Sequence, residues 1–293
     1  MRTRISTYDK HDFFHNWEKI NKNLGQRWDA VVKNSPHKEL KKPTPTDLYF
    51  VFAITKLLDR WLPKKTGIKV LKLDLYNEAT MTSTLAGWFL KRGYNYFGVD
   101  ISKEVVKLAR ANFRNRVPSK NFQVGDIRKL PFENDSFDIV FSFGTIEHIR
   151  ENEQAVEEAF RVLKSGGLFV TGVNNKLDMW FSYFVNEATN RVFKKITSYE
   201  PSYFPWEQRN WLKKAGFVNI KTTGMITFPH LIRYADLFVE WKQVDGLLRF
   251  VWNNIIIYPL IKMATFLDSI DGIRFFGMHT TSLGLKPKKK DKI

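Results

Sequence analysis

The chain has 293 residues, 43% of them hydrophobic and 26% charged, which is enough for a globular domain with a substantial core. Its 47 Lys and Arg residues against 30 Asp and Glu residues give a net charge of +17, which favours an anionic partner, either nucleic acid or an acidic membrane surface. The absence of cysteine excludes disulfides, thiolate catalysis and Cys-ligated metals.

The first part of the chain, residues 1–65, is polar, basic and aromatic, and we interpret it as an N-terminal helical cap. It lacks the continuous apolar stretch of a secretion signal, so the protein is expected to stay in the cytoplasm. A helix is predicted over residues 47–62, where apolar side chains recur on one side. His11 and His15 are spaced for one helical face, but without a further ligand they indicate a surface and no metal is expected.

From Gly67 onward, short apolar runs alternate with amphipathic helices, a pattern typical of a parallel sheet with crossover helices. Strands are predicted at IKVLKLDL, YFGVD, FQVGD, FDIVFSFG and LFVTGVN, with helices at 82–91, 102–115 and 151–163 between them. The third helix is predicted to stop at Gly166-Gly167. A helix at 206–215, a sixth strand near 218–222 and a final strand at TTSLGLK complete the pattern.

The segment between the last two strands, residues 225–279, is the most unusual part of the chain. Its strongest apolar window, residues 247–267, is interrupted by polar residues and Pro259, which argues against a membrane span. Packing on the sheet or the cap is one interpretation, and a helix lying in a membrane interface through residues 237–267 is the other. The second rests on apolar residues at helical spacing, with Lys242 and Arg249 interleaved: Leu237, Trp241, Val244, Leu248, Val251 and Ile255.

Three predicted strands end on an acid at regular intervals: Asp74, Asp100 and Asp126. Ligands of open parallel sheets bind outside the carboxyl ends of the strands. A carboxylate at Asp100 can accept both hydroxyls of a ribose, and one at Asp126, with the next backbone N–H, can bind the edge of an adenine. Each acid taken singly is equally consistent with a cap for the following helix.

Two longer segments support the nucleotide interpretation: GDIRKLPFENDSFDIVFSFGTIEHI at 125–149 and AVEEAFRVLKSGGLFVTG at 155–172. They resemble the second half of a class I S-adenosylmethionine-dependent methyltransferase, of the branch acting on small molecules and lipids. The resemblance extends over about residues 67–224. It implies an α/β, Rossmann-like, seven-stranded sheet with its last strand antiparallel, a helical cap before the sheet and a helical insertion before the last strand. The implied parts are the cap (1–65), the cofactor-binding core (66–224), the insertion (225–279) and the final strand with a basic tail (280–293).

The resemblance also implies S-adenosylmethionine as cofactor and assigns residues to its adenosine end. Asp100 would hold the ribose and Ile101 would pack on the adenine. Asp126 would accept a hydrogen bond from the adenine amino group, with Ile127 beside it. These assignments are expectations for the structure.

At the methionine end, the resemblance implies that Phe143 and Gly144 flank the sulfonium and that Asp74 orients the amino group. Lys72 lies two residues before Asp74, in a central strand that should be covered on both faces. If it is buried it needs Asp74 or Glu78 as partner. The alternative is that it extends to solvent from a less buried strand start.

The turn after Asp74 departs from the family pattern. Where the family usually has Gly-x-Gly, this chain has Tyr76, Asn77, Glu78, Ala79 and Thr80, whose side chains fill space that glycine would leave open. Either the turn takes another course, with Asn77 and Thr80 supplying hydrogen bonds, or the site is damaged. We expect an altered but working site, in which Tyr76 and Asn77 contact the cofactor.

Candidates for catalysis and acceptor binding are fewer. His148, in GTIEHI, is the best-placed base, although a structural role is equally open, and a base is needed only if the acceptor must lose a proton. Asn174 at the end of the fifth strand, together with Tyr199 and Tyr203 in SYEPSYFPW, could line the acceptor site.

The resemblance implies methyl transfer to a small-molecule acceptor, and the insertion with the positive charge favours a lipid or lipid-linked one and a protein peripheral at the inner face of a membrane. One alternative is an RNA or other nucleic-acid methyltransferase, for which the positive charge would serve phosphate contacts. Against it, the fourth strand ends in FSFGTIEH, not in the Asn/Asp-Pro-Pro-aromatic motif that base-amino-methylating enzymes share. A non-catalytic scaffold with the same fold is the third possibility.

Overall fold

Seven strands form a single sheet in the order β3-β2-β1-β4-β5-β7-β6, in a computed structural model. The structure describes residues 24–35, 37, 40, 42–80, 85–181, 201–228 and 230–288, without the side chains of residues 230 and 231. Strands β1 to β5 are parallel neighbours, whereas β7 runs antiparallel to both β5 and β6, as predicted. The strands are β1 (Lys69–Lys72), β2 (Asn95–Asp100), β3 (Phe122–Val124), β4 (Phe137–Phe143), β5 (Leu163–Asn174), β6 (Val218–Met225) and β7 (His279–Leu285).

Helices cover both faces of the sheet and account for the crossover connections. The described helices are α1 (Leu24–Lys33), α2 (Pro45–Trp61), α3 (Tyr76–Thr80), α4 (Leu85–Lys91), α5 (Lys103–Phe113), α6 (Asn152–Val162), α7 (Pro205–Lys214), α8 (His230–Trp241), α9 (Gly246–Val251), α10 (Tyr258–Leu267) and α11 (Asp271–Arg274). Short 3₁₀ turns occupy Ser119–Asn121 and Ile146–His148, and a π-helical segment, Trp252–Ile257, joins α9 to α10.

Strand β1 is buried from Val70 to Lys72, on both faces of the sheet. Val70 belongs to the core beneath α2, and Leu71 belongs to the core beneath α6. Because β1 lies at the centre of the sheet, between β2 and β4, its carboxyl end lies where ligands of such sheets bind.

The third crossover helix has its predicted bounds to within one residue, but the residues predicted to stop it are wrong. Helix α6 ends at Val162, and strand β5 begins at once with Leu163, which pairs with Phe137 of β4. The two glycines predicted to end the helix therefore lie within a β5 whose register with β4 shifts. Gly166 adopts a left-handed φ of 81° and its N–H donates to the carbonyl of Lys286, whose own N–H donates to the carbonyl of Gly167. These glycines therefore bond to the chain after β7 and do not cap a helix.

Helix α2, predicted from residue 47 to 62, packs across one face of the sheet. Thr44 caps it by accepting a hydrogen bond from the N–H of Asp47 at 3.1 Å. Ala53 and Leu58 are buried against the sheet, and the Tyr49 hydroxyl donates to the carbonyl of Ile226, just after β6. The described part of the cap is thus part of the core.

The insertion forms several helices and not one continuous amphipathic surface. Helix α8 ends at Trp241, and the chain turns before α9 begins at Gly246, so the predicted apolar set lies on two helices and the turn between them. The π segment precedes Pro259, and the N–H of Tyr258 bonds to the carbonyl of Asn253, five residues back. A wider turn at this point accommodates a proline, which has no N–H to donate.

Asp236 of α8 joins the cap to the insertion. Its side chain is 1% exposed and accepts hydrogen bonds from the N–H and hydroxyl of Thr46, at 2.9 and 2.7 Å. Its other oxygen accepts the indole N–H of Trp252 at 2.9 Å. Helices α2 and α8 and the π segment are therefore held by one buried carboxylate.

The segment Gly246–Leu267, comprising α9, the π segment and α10, is termed the long insertion helix. It has 22 residues and only 11% of its most apolar window is buried. By length and composition it could cross a membrane, which the interrupted sequence window did not predict. Large apolar side chains along it are exposed: Leu247, Leu248, Phe250, Ile255, Ile256, Tyr258, Met263 and Phe266.

Candidate functional site

Asp100 lies at the carboxyl end of β2, and its side chain is 8% exposed. One carboxyl oxygen accepts the N–H of Leu75, after β1, and the other accepts the N–H of Ser102, each at 2.9 Å. Burial raises the pKa of Asp100 to about 7, although these two N–H groups oppose the rise. The carboxyl group therefore joins two neighbouring strand ends and titrates near neutral pH.

Lys72 is 2% exposed, which excludes the alternative that it extends to solvent. Its ammonium donates to Asp74 at 2.7 Å and to Glu78 at 2.9 Å, so both predicted partners are used. The hydroxyl of Tyr96 donates to the other oxygen of Glu78 at 3.0 Å. Burial lowers the pKa of Lys72, but the charges of Asp74 and Glu78 outweigh it and raise that pKa above its usual value.

The turn that replaces the glycine-rich loop is a short helix, α3, directly after β1. The Thr80 hydroxyl donates to the carbonyl of Tyr76 at 2.8 Å, so it supports the turn and does not point to a ligand as expected. Glu78 is fully buried and points inward to Lys72. Asn77 is half-buried on α3. The altered turn is thus a folded element with its own buried partners.

The third acid, Asp126, lies in a pairing that the sequence analysis did not predict. Both of its carboxyl oxygens accept hydrogen bonds from the guanidinium of Arg128, and one also accepts the N–H of Arg128 at 2.9 Å. Arg128 bonds in turn to Glu151 at 3.1 Å. Ile127 is 8% exposed and lies in the core beneath α6. An adenine amino group at Asp126 would have to share the carboxylate with this guanidinium.

Strand β4 ends beside the first acid. Thr145 donates to Asp74 at 3.0 Å, and Gly144, with a left-handed φ of 71°, is exposed with open space where a Cβ would lie. Phe143 points to the cap side, where its ring lies 5.0 Å from His279 and 5.6 Å from Phe50. Gly144 and Asp74 are therefore brought together at the opening, whereas the Phe143 ring packs in the core.

Helix α1 lies across this edge, a relationship that the sequence analysis missed. The ring of Trp28 is edge-on to His148 at 5.3 Å and to Tyr76 at 6.3 Å, between centroids. A Cβ added at Gly25 would lie 3.0 Å from the carbonyl of Ile101, so α1 closely approaches the residue expected to pack on adenine. Three residues predicted to be at the site thus contact one helix of the cap.

Two polar links hold α1 in this place. Asp29 accepts hydrogen bonds from the Ser102 hydroxyl at 2.5 Å and from the N–H of Glu104 at 3.0 Å, at the start of α5. The Tyr76 hydroxyl donates to Ser35, just after α1, at 2.8 Å. Only the aromatic and acidic pair Trp28-Asp29 in the sequence could have indicated this role.

The candidate acceptor residues are partly brought together. The N–H of Tyr203 donates to the carbonyl of Asn174 at 2.8 Å, at the carboxyl end of β5. The Tyr203 hydroxyl accepts a hydrogen bond from Asn152 at 3.0 Å, and its ring packs on Trp211. Tyr199 lies outside the described residues. Among the described residues, no group of three His, Asp or Glu side chains is arranged to hold a metal ion.

The strand order, the reversed β7 and the acids at the carboxyl edge define the Rossmann-like fold of class I S-adenosylmethionine-dependent methyltransferases. A solved chain from a complex between the Haloferax volcanii Trm112 methyltransferase activator and a methyltransferase has this fold, with a TM-score of 0.57 and 21% identity. The match covers 88% of this chain and 97% of that one.

Residues 79–171 match the family model described as "Methyltransferase domain", which confirms the resemblance to S-adenosylmethionine-dependent methyltransferases for this part of the chain. A Mycolicibacterium smegmatis protein named "Probable S-adenosylmethionine-dependent methyltransferase" is 34% identical over 83 residues, 27% of this chain and 32% of that protein. The mitochondrial 2-methoxy-6-polyprenyl-1,4-benzoquinol methylase of Danio rerio is 42% identical over 76 residues, 24% of this chain and 22% of that protein. The chain spans a third or less of the length of these two relatives.

Proposed function

We propose that the protein transfers a methyl group from S-adenosylmethionine to a lipid or lipid-linked acceptor, as a peripheral protein at the inner face of a membrane. When bound, the cofactor supplies a methyl group already activated on a sulfonium. The protein then has to bind the cofactor, exclude water and align the acceptor. The helix Gly246–Leu267, apolar and mostly exposed, is the observation that carries the membrane part.

The residues around Asp100 fit an adenosine. Each oxygen of its carboxyl accepts one backbone N–H and keeps a further lone pair, so both can also accept ribose hydroxyls. Ile101 and Trp28 of the covering helix are apolar surfaces of the kind that an adenine ring packs against. A departure at the glycine-rich turn is compatible with binding, since α3 folds its own side chains inward.

The charge of the neighbouring cluster suits an ammonium or sulfonium. Lys72, Asp74 and Glu78 sum to one negative charge when all three are ionised, and Asp74 is the most exposed of the three. Its position beside Gly144, through Thr145, is appropriate for orienting the amino end of a methionine moiety. The buried Lys72–Glu78 pair keeps the carboxylate of Asp74 in place.

His148 is the group best situated to take a proton from an acceptor. It is the last residue of the 3₁₀ turn after β4 and contacts Trp28, so any acceptor that reaches it passes beneath the same helix that covers the cofactor residues. A base is needed only where the acceptor loses a proton, as a phenol or an amine does. Asn174 and Tyr203, next along the carboxyl edge, are the proposed acceptor contacts.

Two observations support a lipid acceptor. The long insertion helix exposes Leu247 and Leu248 by 76% and 72%, and a contiguous apolar surface of this kind indicates a membrane or protein contact. The net charge of +17 adds attraction to an anionic leaflet. The Danio rerio relative, by its name, methylates a quinol that has a polyprenyl tail, which is in keeping with the proposed acceptor class.

Cofactor binding is tested by isothermal titration of the full chain with S-adenosylmethionine and S-adenosylhomocysteine. Saturable binding is expected. If neither ligand gives heat at millimolar concentration, the enzymatic proposal is wrong and only the fold assignment remains.

Membrane contact is tested with phosphatidylcholine vesicles and the double variant Leu247→Ser/Leu248→Ser. Both side chains are exposed, so stability should hardly change, while burial of two leucines in lipid, about 1.5–3 kcal/mol each, would be lost. The matched control is Val124→Ser/Val218→Ser, which removes exposed apolar side chains from the two edge strands. Equal vesicle binding by both variants would place the membrane contact elsewhere.

A further inference from the structure

A crevice between α2 and the insertion combines positive charge with apolar walls. Lys56 and Arg60 of α2 line one side, and Arg274 at the end of α11 lines the other. Ala53, Leu57 and Met225 form the apolar part. Asp268, directly after the long insertion helix, is the acid in this crevice.

The three cations face one buried carboxylate. The Lys56 ammonium lies 3.6 Å from Asp268, a distance longer than a direct hydrogen bond. Burial raises the pKa of Asp268, while the charges of Lys56, Arg274 and Arg60 oppose that rise. All three cations therefore interact with this one carboxyl group. The Asp268 carboxylate also accepts the N–H of Ile226 at 3.3 Å, which fixes it to the sheet. Positive charge therefore exceeds negative charge among the side chains lining the crevice.

The backbone supports the crevice closely. A Cβ added at Gly224 would lie 1.9 Å from the carbonyl of Arg274, so only glycine allows α11 to approach β6 at this point. The Arg274 side chain is held by Thr223 at 3.0 Å and by the exposed Asp271 at 2.6 Å. This cation is thus positioned before any ligand arrives.

The crevice continues an apolar surface of α2. Leu48, Phe52, Lys56 and Arg60 follow one another at four-residue spacing, which places them along one side of the helix. Leu48 and Phe52 are 49% and 48% exposed, although they lie in the part of the cap that packs beside the insertion. Along this side of α2, two apolar side chains are thus followed by two cations.

The long insertion helix runs beside this side of α2. Its Trp252 is linked through Asp236 to Thr46, near the start of α2, and Asp268, just beyond its end, faces Lys56. Both helices carry exposed apolar side chains and reach the crevice at the same end. In a bilayer, the phosphate groups lie immediately above the acyl chains that such side chains enter.

We infer that the crevice formed by Lys56, Arg60 and Arg274 binds the phosphate of an anionic lipid headgroup. The site is separate from the proposed cofactor site, and it rests on the membrane part of the proposed function. Lysine and arginine together are suited to a phosphate, which accepts several charge-assisted hydrogen bonds. Through it, the protein would bind anionic vesicles more tightly than neutral ones and in a fixed orientation.

The test compares Lys56→Ala/Arg60→Ala with the control Lys64→Ala/Lys65→Ala in the full chain. Both variants lose two positive charges, and Lys64 and Lys65 are exposed on the loop after α2, outside the crevice. Binding is measured by flotation with vesicles of phosphatidylcholine alone and of phosphatidylcholine containing phosphatidic acid. In the wild type, phosphatidic acid is expected to increase vesicle binding. This increase is expected to be about 30-fold smaller in Lys56→Ala/Arg60→Ala, the crevice variant, and less than about threefold smaller in the control.

Equal losses in the two variants would overturn the inference, because they would show that diffuse charge causes the preference. No loss in either variant would overturn it as well. Should the crevice variant be unstable, Arg60→Glu alone replaces it, since Arg60 is exposed.

The source of the phosphate is tested with inorganic phosphate in a thermal unfolding experiment without vesicles. If inorganic phosphate stabilises the wild-type protein but not the crevice variant, while the vesicle gain is the same in both, the site binds free phosphate and the headgroup assignment is wrong. Binding to neutral vesicles and to S-adenosylhomocysteine is expected to be the same in the crevice variant as in the wild type. If the proposed function is wrong, the wild-type protein itself will fail to bind neutral vesicles or S-adenosylhomocysteine.

Discussion

Trp28 lies edge-on to His148, with ring centroids 5.3 Å apart, and this contact places a helix of the N-terminal cap over the carboxyl ends of β1 and β4. The residues expected to bind an adenosine, Asp100 and Ile101, lie at the end of the neighbouring strand, and Asp29 anchors the same helix to Ser102. The cap therefore belongs to the site and does not only cover the core.

Replacing Trp28 with alanine is expected to weaken S-adenosylhomocysteine binding by between about twofold and tenfold, because one aromatic contact contributes about 0.5–1.5 kcal/mol. Isothermal titration measures the change. Trp206→Ala is the matched control, since Trp206 is 57% exposed and stacks on Phe204 at the start of α7. A Trp28→Ala protein with wild-type affinity would show that α1 does not contact the ligand.

Asp100→Ala is expected to lower cofactor affinity by about 1.5–3 kcal/mol, through loss of charge-assisted contacts to the ribose. Asp138→Ala is the control, because Asp138 also accepts a backbone N–H, that of Lys69 at 2.9 Å, but lies at the opposite end of β1. Titration of both folded variants with S-adenosylhomocysteine distinguishes them. Unchanged affinity in Asp100→Ala would remove this carboxyl from the site.

The raised pKa of Asp100, about 7 in the folded protein against 3.8 as the ordinary value, predicts a pH effect on stability. Between these values the folded state binds more protons than the unfolded state, so its free energy of unfolding falls as pH rises from about 4 to 7. The fall is at most about 4 kcal/mol. Urea unfolding across this range is expected to show a flatter dependence in Asp100→Asn than in the wild type, and identical slopes would contradict the assignment.

Lys72→Met is expected to destabilise the fold by about 3–5 kcal/mol, because it leaves the carboxylate of Glu78 buried without a cation. Adding Glu78→Gln should recover part of the loss, since the glutamine carbonyl can still accept from Tyr96. Lys164→Met is the control: its pair with Asp138 is half-exposed and should contribute less than about 1 kcal/mol. Urea unfolding measures all three, and equal effects for Lys72 and Lys164 would be inconsistent with a buried pair.

Much of the core could be predicted because its information is local. The strand and helix alternation after Gly67 follows from periodicity, and all seven predicted strands are present. The antiparallel last strand followed from the family resemblance and is confirmed by the pairing of β7 with β5. The predicted partners of Lys72 were also right, because Asp74 and Glu78 are its neighbours along the chain.

Prediction failed where another part of the chain decided the outcome. Gly166 and Gly167 were predicted to stop a helix but lie within a strand, because Leu163 already pairs with Phe137 of another strand. The ion pair of Asp126 with Arg128, which Glu151 supports from another helix end, was not predicted, and the assignment of Asp126 to an adenine stays a prediction. The apolar residues that the sequence places at helical spacing in the insertion lie on two helices, because α8 ends at Trp241 and α9 begins only at Gly246.

The amino-acid sequence by itself determined the sheet, its crossover helices and the three acids at the strand ends, because periodicity and turn residues act over a few positions. Only the tertiary structure decided that Trp28 covers the carboxyl edge, that Asp100 is buried between two strand ends, and that cations of the cap and the insertion meet at Asp268. These relationships join residues distant along the chain, and no local pattern specifies which distant partner a side chain will meet once the core has packed.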